Sequence, residues 1–367
     1  MRASEVLTVV GAGPAGLTAA ILAARAGRKV IVHERRPDVG GKYRDDFQAL
    51  ENWSSDVDTL AEIRALGIET AFEAIPFHRQ VCIGPDGREH DFRSGQPFFY
   101  AVRRGPGPGT LDCALKEQAL GAGVEIRFGS AVRHPPGDSV VAWGARRAAA
   151  VGVGYVFETD LPDGSFAVLN DDVAPRGYAY LVSHGGRATL ATCLWRDFRN
   201  EAQYLARTVA LLQGRLGFTM RRPLRFGSVV SVQIRPPSAA GPVFWAGEAA
   251  GAQDALWGFG IRYAMLSGQL AATFNAGVDS RQLLRRWEER IGRPLRASFV
   301  NRFAYELAGR NGYRWLLWRL SRSRDPRRYL GRVYASSWWK QAVFPFLQLW
   351  PSPSRGSSGE LPREERD

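Results

Sequence analysis

Three glycines and a proline interrupt an apolar segment near the start of the chain, VVGAGPAGLTAA at residues 9 to 20. A continuous helix here would lose about 1 kcal/mol per glycine and about 3 kcal/mol for an interior proline. The glycines also break the apolar core that a secretory signal peptide requires. The pattern instead predicts a strand at residues 6 to 10, a turn at residues 11 to 16, a helix at residues 14 to 26 and a second strand from residue 29.

This order of strand, turn and helix is the context in which GxGxxG spacing binds the diphosphate of a dinucleotide. Gly11 would allow the tight turn, Gly13 would let the backbone approach the phosphates, and Gly16 would let the helix pack closely on the strand. The backbone N–H groups in the first turn of the helix, which begins with Pro14 and Ala15, would bind the phosphate charge. We therefore predict that these five residues form a dinucleotide site.

A carboxylate at the end of the second predicted strand supports this prediction. Glu34 lies 18 residues beyond Gly16, where a carboxylate accepts hydrogen bonds from an adenosine ribose and repels a 2′-phosphate. Arg35 follows it directly and is a further candidate for binding the cofactor. The motif by itself does not distinguish FAD from NAD.

A second glycine-containing segment, FWAGEAAGAQDALWGFGIRYAMLSGQLAA at residues 244 to 272, resembles the flavoprotein superfamily of geranylgeranyl reductases, aromatic hydroxylases and flavin-dependent halogenases. There a GD or GE acid binds a ribityl hydroxyl of FAD, and a GxGI turn places a helix N-terminus against the flavin pyrimidine. The resemblance implies these roles for Gly247, Glu248, Gly258, Gly260 and Ile261. Backbone amides at a helix N-terminus would stabilise the negative charge of reduced flavin.

A third segment of the same superfamily combines an arginine, a spacer and an LDxxL helix start, which Leu111, Asp112 and Leu115 match. The resemblance implies that the arginine approaches the cofactor. The long GPGPG spacer leaves Arg103 and Arg104 both open, and we assign the role to Arg104. Three segments in the right order together predict FAD as the cofactor.

The order of the segments predicts a mixed α/β fold: a Rossmann-like FAD-binding domain with an inserted antiparallel β-sheet substrate domain and C-terminal helices. We assign the FAD-binding domain to residues 1–50, 95–150 and 240–280, and the substrate domain to residues 51–94 and 151–239. The rest of the chain would be a helical region and a disordered polar tail, residues 281–350 and 351–367.

Alternating apolar and polar residues between 151 and 236 predict the strands of the antiparallel sheet, the last of them at residues 229 to 234. The sequence SHGGR, which ends at Arg187, predicts a hairpin turn. Upstream, residues 56 to 66 predict an amphipathic helix.

The sequence APRGYAYLVSHGG at residues 174 to 186 partly resembles the PxxYxWxFP motif of the geranylgeranyl reductases. Pro175 and Tyr178 match, and Tyr180 stands in place of the tryptophan. The resemblance implies that Tyr178, Tyr180 and Trp257 line a cavity for a hydrophobic chain, although alternating aromatics are also typical of an ordinary core strand. No catalytic residue is assigned, because the cysteine that these reductases often carry is absent from GGKYRDDF.

The net charge of +13 is concentrated near the C-terminus, where residues 296–350 carry eleven basic residues against Glu306 and Asp325. With its tryptophans, this region predicts either a peripheral site for an anionic membrane or a helical cap with solvated arginines. No nucleic-acid module is recognisable. The cysteine and histidine spacing supports no disulfide framework and no metal site, and the expected location is cytoplasmic or on the cytoplasmic membrane face.

The resemblance to the geranylgeranyl reductases implies an FAD-dependent oxidoreductase that reduces carbon–carbon double bonds of a hydrophobic, isoprenoid-like substrate by hydride from reduced flavin. NAD(P)H or a reduced ferredoxin would be a transient electron donor. Two alternatives stay open, because the cofactor motifs do not distinguish them. One is a flavin-dependent monooxygenase that hydroxylates or epoxidises a hydrophobic substrate, and the other is a non-catalytic, membrane-docked flavoprotein.

Overall fold

Three sheets and nine helices form the described part of the chain, which comprises residues 6–145, 148–232, 234–236, 243–274 and 279–349 of a computed structural model. Strands β1 to β8 are Val6–Val10, Lys29–His33, Asp46–Glu51, Ala74–Phe77, Arg79–Ile83, Glu89–Arg93, Phe99–Arg104 and Glu125–Arg127. Strands β9 to β15 are Ser139–Val141, Ala150–Glu158, Gly164–Val168, Tyr178–His184, Arg187–Leu194, Arg221–Val230 and Val243–Trp245. Helices α1 to α9 are Pro14–Arg25, Thr59–Ala65, Leu111–Gly121, Glu201–Leu216, Ile261–Ala272, Ser280–Trp287, Arg293–Ser321, Pro326–Tyr334 and Trp338–Leu349.

A five-stranded parallel sheet carries the dinucleotide motif, with the strand order β15-β9-β1-β2-β8. Its central strands bury Val9, Val32 and Val140, as expected for a parallel sheet that helices cover. Helices α1 and α5 pack so closely that a Cβ on Gly268 would overlap the carbonyl oxygen of Ala15. The predicted strand, turn, helix and strand at the N-terminus are confirmed, and the mixed α/β fold class is confirmed with them.

The seven-stranded sheet has the order β14-β10-β13-β12-β11-β5-β6 and is antiparallel except where β11 pairs with β5. The predicted hairpin joins β12 to β13 through Gly185 and Gly186, whose φ angles of +58° and +79° suit a two-residue turn. A third sheet, β3-β7-β4, joins strands from both predicted domains. The division into domains stays a prediction.

Two expectations for residues 151 to 236 are wrong in detail. Residues 201–216 form helix α4 where only strands were expected, because the buried Leu205, Thr208 and Leu212 recur at the spacing of a helix face. The last strand of this stretch is β14, which ends at Val230, and the described residues between 231 and 236 are not in a strand.

The helix predicted at residues 56 to 66 is present but shorter. Helix α2 begins after Asp58, whose carboxylate accepts hydrogen bonds at 3.1 Å from the amides of Leu60 and Ala61. Gly67, with φ of +88°, follows the end of the helix. The capping carboxylate therefore sets the first residue of this helix.

Helices α6 to α9 form the predicted C-terminal region, with a π-helical segment, Glu288–Gly292, before α7. Gly309 interrupts α7 with φ of +52° and ψ of −145°. Beyond this kink, Tyr313, Leu317 and Leu320 belong to the same hydrophobic core as residues of the seven-stranded sheet. No helix in the described ranges is long and apolar enough to cross a membrane. The predicted tail at residues 351–367 lies outside the described residues.

Candidate cofactor and substrate site

A cavity of about 1280 Å³ extends from the glycine turn after β1 to helices α7 and α8. Every residue predicted from the sequence to bind cofactor or substrate lines it, with the exception of Gly16. These residues are Gly11, Gly13, Pro14, Ala15, Glu34, Arg35, Arg104, Tyr178, Tyr180, Gly247, Glu248, Trp257, Gly258, Gly260 and Ile261. The fold therefore brings together segments that are far apart in the sequence.

The three glycines after β1 differ in what surrounds them. Gly11 has φ of +108°, and a Cβ there would lie 2.6 Å from the carbonyl oxygen of Ala142. A Cβ on Gly16 would overlap the carbonyl oxygen of Gly11, so Gly16 permits the close packing of α1 on β1. A Cβ on Gly13 would meet no protein atom within 4 Å. The backbone at Gly13 is thus open to the cavity, as a diphosphate site requires.

Two helices begin at the cavity without a side-chain cap, because Gly13 and Gly260 occupy the N-cap positions of α1 and α5. By contrast, Asp58, Thr110 and Asp325 cap α2, α3 and α8 with their side chains. Free amides and the positive end of a helix dipole attract negative charge. The cavity therefore has two built positions for anionic groups, one at each uncapped helix.

The Glu34 carboxylate is held in place at the end of β2. It accepts hydrogen bonds from the amide of Ala12 at 2.9 Å and from the amide of Arg36 at 3.0 Å. These contacts keep the carboxylate beside the glycine turn while it lines the cavity. Its placement fits the predicted role of accepting hydrogen bonds from a ribose.

Glu248 joins two loops at the far side of the parallel sheet. Its carboxylate accepts a hydrogen bond from the amide of Ala145 at 3.1 Å, so it ties the loop after β9 to the loop after β15. Gly247, with φ of +60°, donates its amide to Ser267 on α5 at 2.7 Å. Trp143 packs edge-on against Trp245, with the ring centroids 5.3 Å apart.

Asp254, which sequence reasoning missed, orders the turn before α5. Its side chain accepts hydrogen bonds from the amide of Trp257 at 2.7 Å and from the hydroxyl of Ser298, and its carbonyl accepts from Gly258 at 3.0 Å. Burial raises the pKa of this carboxyl group. Within the sequence it is one acid among many, and only the fold shows that it holds the glycine turn.

Arg104 rather than Arg103 is the arginine at the cavity. Its guanidinium is buried and forms a bidentate pair with Asp112, with both N–O distances at 2.8 Å. It also lies over the ring of Tyr43, 4.2 Å from the centroid. Arg103 instead pairs with Asp45 and Glu73. Because Asp112 opens α3, the LDxxL match marks a residue that positions Arg104.

The wall opposite the parallel sheet comes from β12 and β13. The hydroxyl of Tyr178 donates to the carbonyl of Trp257 at 2.7 Å, and the rings of Tyr178 and Tyr180 lie 6.1 Å apart. The strand register places Cys193 directly opposite Tyr178, and Cys193 also lines the cavity. Burial raises the pKa of the Cys193 thiol to about 12 and that of Tyr178 well above its ordinary value. Both groups therefore keep their protons near neutral pH.

Beyond this wall the cavity becomes apolar. Phe99 and Val182 line it from β7 and β12, Phe98 lines it from just before β7, and Leu317 and Leu320 line it from α7. Leu330 of α8 contributes at the same end. This end suits an extended hydrocarbon group, since it offers aliphatic and aromatic contacts on several sides.

Three polar atoms of cavity residues have no hydrogen-bond partner within the described part of the chain: Nε1 of Trp53, Nε1 of Trp195 and Oε1 of Gln253. Buried polar groups normally have partners. The orphaned atoms, the open backbone at Gly13 and the two uncapped helices together fit a large ligand with both anionic and polar parts. FAD has such a composition, with its diphosphate, ribityl chain and flavin ring.

Comparisons with known proteins agree with this geometry. Residues 9–57 match the NAD(P)-binding Rossmann-like domain. A digeranylgeranylglycerophospholipid reductase of Methanosphaerula palustris is 26% identical, over 74% of this chain and 76% of that protein. The chain is homologous to this digeranylgeranylglycerophospholipid reductase. A digeranylgeranylglycerophospholipid reductase of Picrophilus torridus is 39% identical over 17% of this chain, and a putrescine oxidase of Kocuria rosea is 40% identical over 23%. These last matches span only 16% and 20% of the relatives' own lengths.

Solved structures share the fold of this reductase homologue. A geranylgeranyl bacteriochlorophyll reductase-like protein of Thermoplasma acidophilum has a TM-score of 0.70 at 20% identity, covering 94% of this chain and 98% of that one. The flavin-dependent brominase Bmp2 has a TM-score of 0.65 at 16% identity, with the same coverage. The p-nitrophenol 4-monooxygenase of Pseudomonas putida has a TM-score of 0.57 at 16% identity, covering 88% and 98%. The prediction of an FAD-dependent oxidoreductase is confirmed.

Proposed function

We propose that this reductase homologue reduces carbon–carbon double bonds of an isoprenoid-like substrate. The observation that carries the proposal is the continuity of the cavity, which joins the glycine turn and both uncapped helix N-termini to an apolar end beneath α7 and α8. A cofactor in the first part leaves the apolar part for a hydrocarbon chain. The similarity to two proteins named as digeranylgeranylglycerophospholipid reductases supports the same substrate class.

The residues present can hold FAD throughout its length. The turn at Gly11 and Gly13 and the N-terminus of α1 would hold the diphosphate, and Glu34 would hold the adenosine ribose. The N-terminus of α5, at Gly260, would lie at the electron-rich edge of the flavin. When bound and reduced, FAD would supply the hydride.

The chain's own contribution to the reaction is the wall of β12 and β13. Saturation of a double bond by hydride needs a proton for the other carbon. The Cys193 thiol and the Tyr178 hydroxyl hold protons on adjacent strands, and Tyr178 is oriented by its hydrogen bond to the carbonyl of Trp257. Burial raises the pKa values of both groups, and the same apolar surroundings would exclude bulk water from a substrate carbon beside them.

Anaerobic turnover tests the proposal. The FAD-loaded protein is reduced with NADPH, NADH or dithionite and is mixed with geranylgeranyl lipids in detergent. Mass spectrometry of the products should show gain of hydrogen without gain of oxygen. NADPH or NADH should act as a transient donor, because the described cavity has one dinucleotide turn and FAD would fill it. Reoxidation of reduced FAD that is independent of every polyprenyl substrate would contradict the proposal.

A substitution in the apolar end separates substrate binding from cofactor binding. Ala167 on β11 lines the cavity and is partly buried, so Ala167→Phe should narrow the space for a hydrocarbon chain. We expect the FAD content to stay unchanged. The KM for the longest substrate should rise about tenfold or more, because the variant would leave roughly one to two methylene groups of the substrate unburied. Leu224→Ala on the exposed part of β14 is the matched control.

The alternative of a monooxygenase keeps support from the fold shared with p-nitrophenol 4-monooxygenase. It predicts oxygen consumption coupled to substrate and an oxygen atom in the product. The double variant Tyr178→Phe/Cys193→Ala distinguishes the reactions further, because it removes both candidate proton donors from the wall. Reduction should fall by about 100-fold or more in kcat, whereas an oxygenation that needs no proton at carbon should persist.

A further inference from the structure

Helix α9 exposes an apolar face on one side. Trp338 is 82% exposed and Phe346 is 72% exposed, and Trp339 and Val343 lie on the same side of the helix at 46% and 38%. The opposite side packs inward, where Phe344 contacts Phe299 with ring centroids 5.4 Å apart. An exposed row of large apolar side chains on a helix that is otherwise well packed indicates a surface that another phase or molecule covers.

The helices before α9 add positive charge to this region. Between residues 307 and 349 the only acid in the sequence is Asp325. Within the ranges that the structure describes, five exposed arginines of α7, α8 and the loop between them form no ion pair: Arg319, Arg322, Arg324, Arg328 and Arg332. Two further exposed tryptophans, Trp315 and Trp318, lie on α7, and the Arg322 guanidinium stacks over Trp318 at 5.1 Å.

We propose that this docking surface, the exposed apolar and basic residues of α7, α8 and α9, binds the anionic face of a lipid bilayer. Trp338, Trp339 and Phe346 would enter the interface, where aromatic side chains are favoured. The unpaired arginines would bind lipid phosphates. An acidic protein would match the arginines but not the large protruding aromatics, and a second copy of the chain would bring like charges together.

The docking surface lies on helices that also line the apolar end of the cavity. Leu316, Leu317 and Leu320 of α7 and Leu330 of α8 line the apolar end of the cavity, and the same two helices carry the exposed arginines. The helices that line the apolar end of the cavity would therefore also touch the bilayer. A substrate dissolved in the membrane would enter the cavity beside these helices. This step rests on the proposed function, whereas docking itself does not.

Vesicle co-sedimentation tests the docking without any enzymatic readout. The FAD-loaded protein is mixed with vesicles of phosphatidylcholine alone and with vesicles that also contain phosphatidylglycerol. We expect strong binding to the anionic vesicles, weak binding to the neutral ones, and loss of binding at high salt. Arg328→Gln/Arg332→Gln should lower the partition coefficient about fivefold per residue. Both arginines are exposed and unpaired in the described structure, so the variant should fold normally.

The matched controls are Arg285→Gln/Arg286→Gln, which removes two exposed arginines from α6, and Leu224→Ser, which changes an exposed apolar residue of β14. Both should bind vesicles as the unchanged protein does, whereas Trp338→Ser/Phe346→Ser should bind more weakly. Equal binding to neutral and anionic vesicles, or an equal loss in the α6 control, would overturn the proposal. So would sedimentation without lipid, which would indicate that a second copy covers the surface. Failure of the turnover assay alone would leave the docking result standing.

Discussion

Substituting Gly13 by alanine separates the cofactor site from the packing of the fold. A Cβ at this position meets no protein atom within 4 Å, and φ of −87° is open to any residue. The cofactor-free protein should therefore lose less than about 1 kcal/mol of stability, the difference between glycine and alanine at an N-cap. The added methyl group would instead occupy the space where the backbone must approach a phosphate.

The expected loss of affinity follows from the contact that the methyl group displaces. A hydrogen bond between a backbone amide and a charged phosphate is worth about 1.5 to 3 kcal/mol, so the Kd for FAD should rise roughly 10- to 150-fold. Quenching of FAD fluorescence on titration with the cofactor-free protein measures the Kd, and urea unfolding followed by circular dichroism measures the stability.

Two further glycines are the controls. Gly16→Ala places a Cβ on the carbonyl oxygen of Gly11, so it should cost about 1 to 3 kcal/mol or more of stability with or without FAD. Gly214→Ala lies inside α4 with open space around the new Cβ, so it should stabilise the protein by about 0.5 to 1 kcal/mol and leave the Kd unchanged. Wild-type FAD affinity in Gly13→Ala would refute the assignment of this turn to the diphosphate.

Three other predictions concern stability. Asp112→Asn should cost about 3 to 5 kcal/mol in urea unfolding, because it leaves the buried Arg104 guanidinium without its carboxylate, whereas Glu125→Gln in an exposed pair should cost less than about 1 kcal/mol. Burial lowers the pKa of Lys340 from 10.5 to about 8. The unfolded chain therefore binds more protons between these pH values, so stability should rise with pH across this window and Lys340→Met should flatten the rise in thermal melts. Gly309→Ala should destabilise by about 1 to 3 kcal/mol, because alanine is strained at φ of +52°, and an unchanged melting temperature would contradict this.

Local sequence patterns were sufficient to predict the structure where the backbone geometry constrains the residue type. After β1, Gly11 is required by the turn, Gly16 by the close contact of α1 with β1, and Gly13 by the open space at the cavity. The spacing of the three glycines in the sequence shows all three requirements. The hairpin at Gly185 and Gly186 is equally local. A two-residue loop fixes the register of the strands that it joins, so the pairing of Tyr178 with Cys193 follows from the position of the turn. The signal that places Cys193 on the wall is therefore present in the sequence itself.

Other parts of the site depend on contacts that no local pattern encodes. Asp254 meets Ser298 from α7, and the choice between Arg104 and Arg103 depends on whether Asp112 or Asp45 is the partner. Helix α4 was missed because its neighbours in sequence are strands and its helical spacing involves few residues. Ser298 is 44 residues from Asp254 along the chain, and Asp45 is 58 residues from Arg103, so neither contact is visible as a local spacing.

The cofactor turns and the β-sheet wall contribute different parts of the chemistry. The turns at Gly13 and Gly260 would only bind and orient a cofactor, and proteins named as a reductase-like protein and a monooxygenase share this fold. Reduction of an isolated double bond differs from oxygenation in its need for a proton at carbon, so the discriminating residues must lie where the substrate meets the wall. Tyr178 and Cys193 are the groups that we propose for this role; burial raises the pKa of each, so each holds its proton near neutral pH and is a weak acid. The double variant Tyr178→Phe/Cys193→Ala tests whether these groups donate that proton, because it removes both from the adjacent strands β12 and β13.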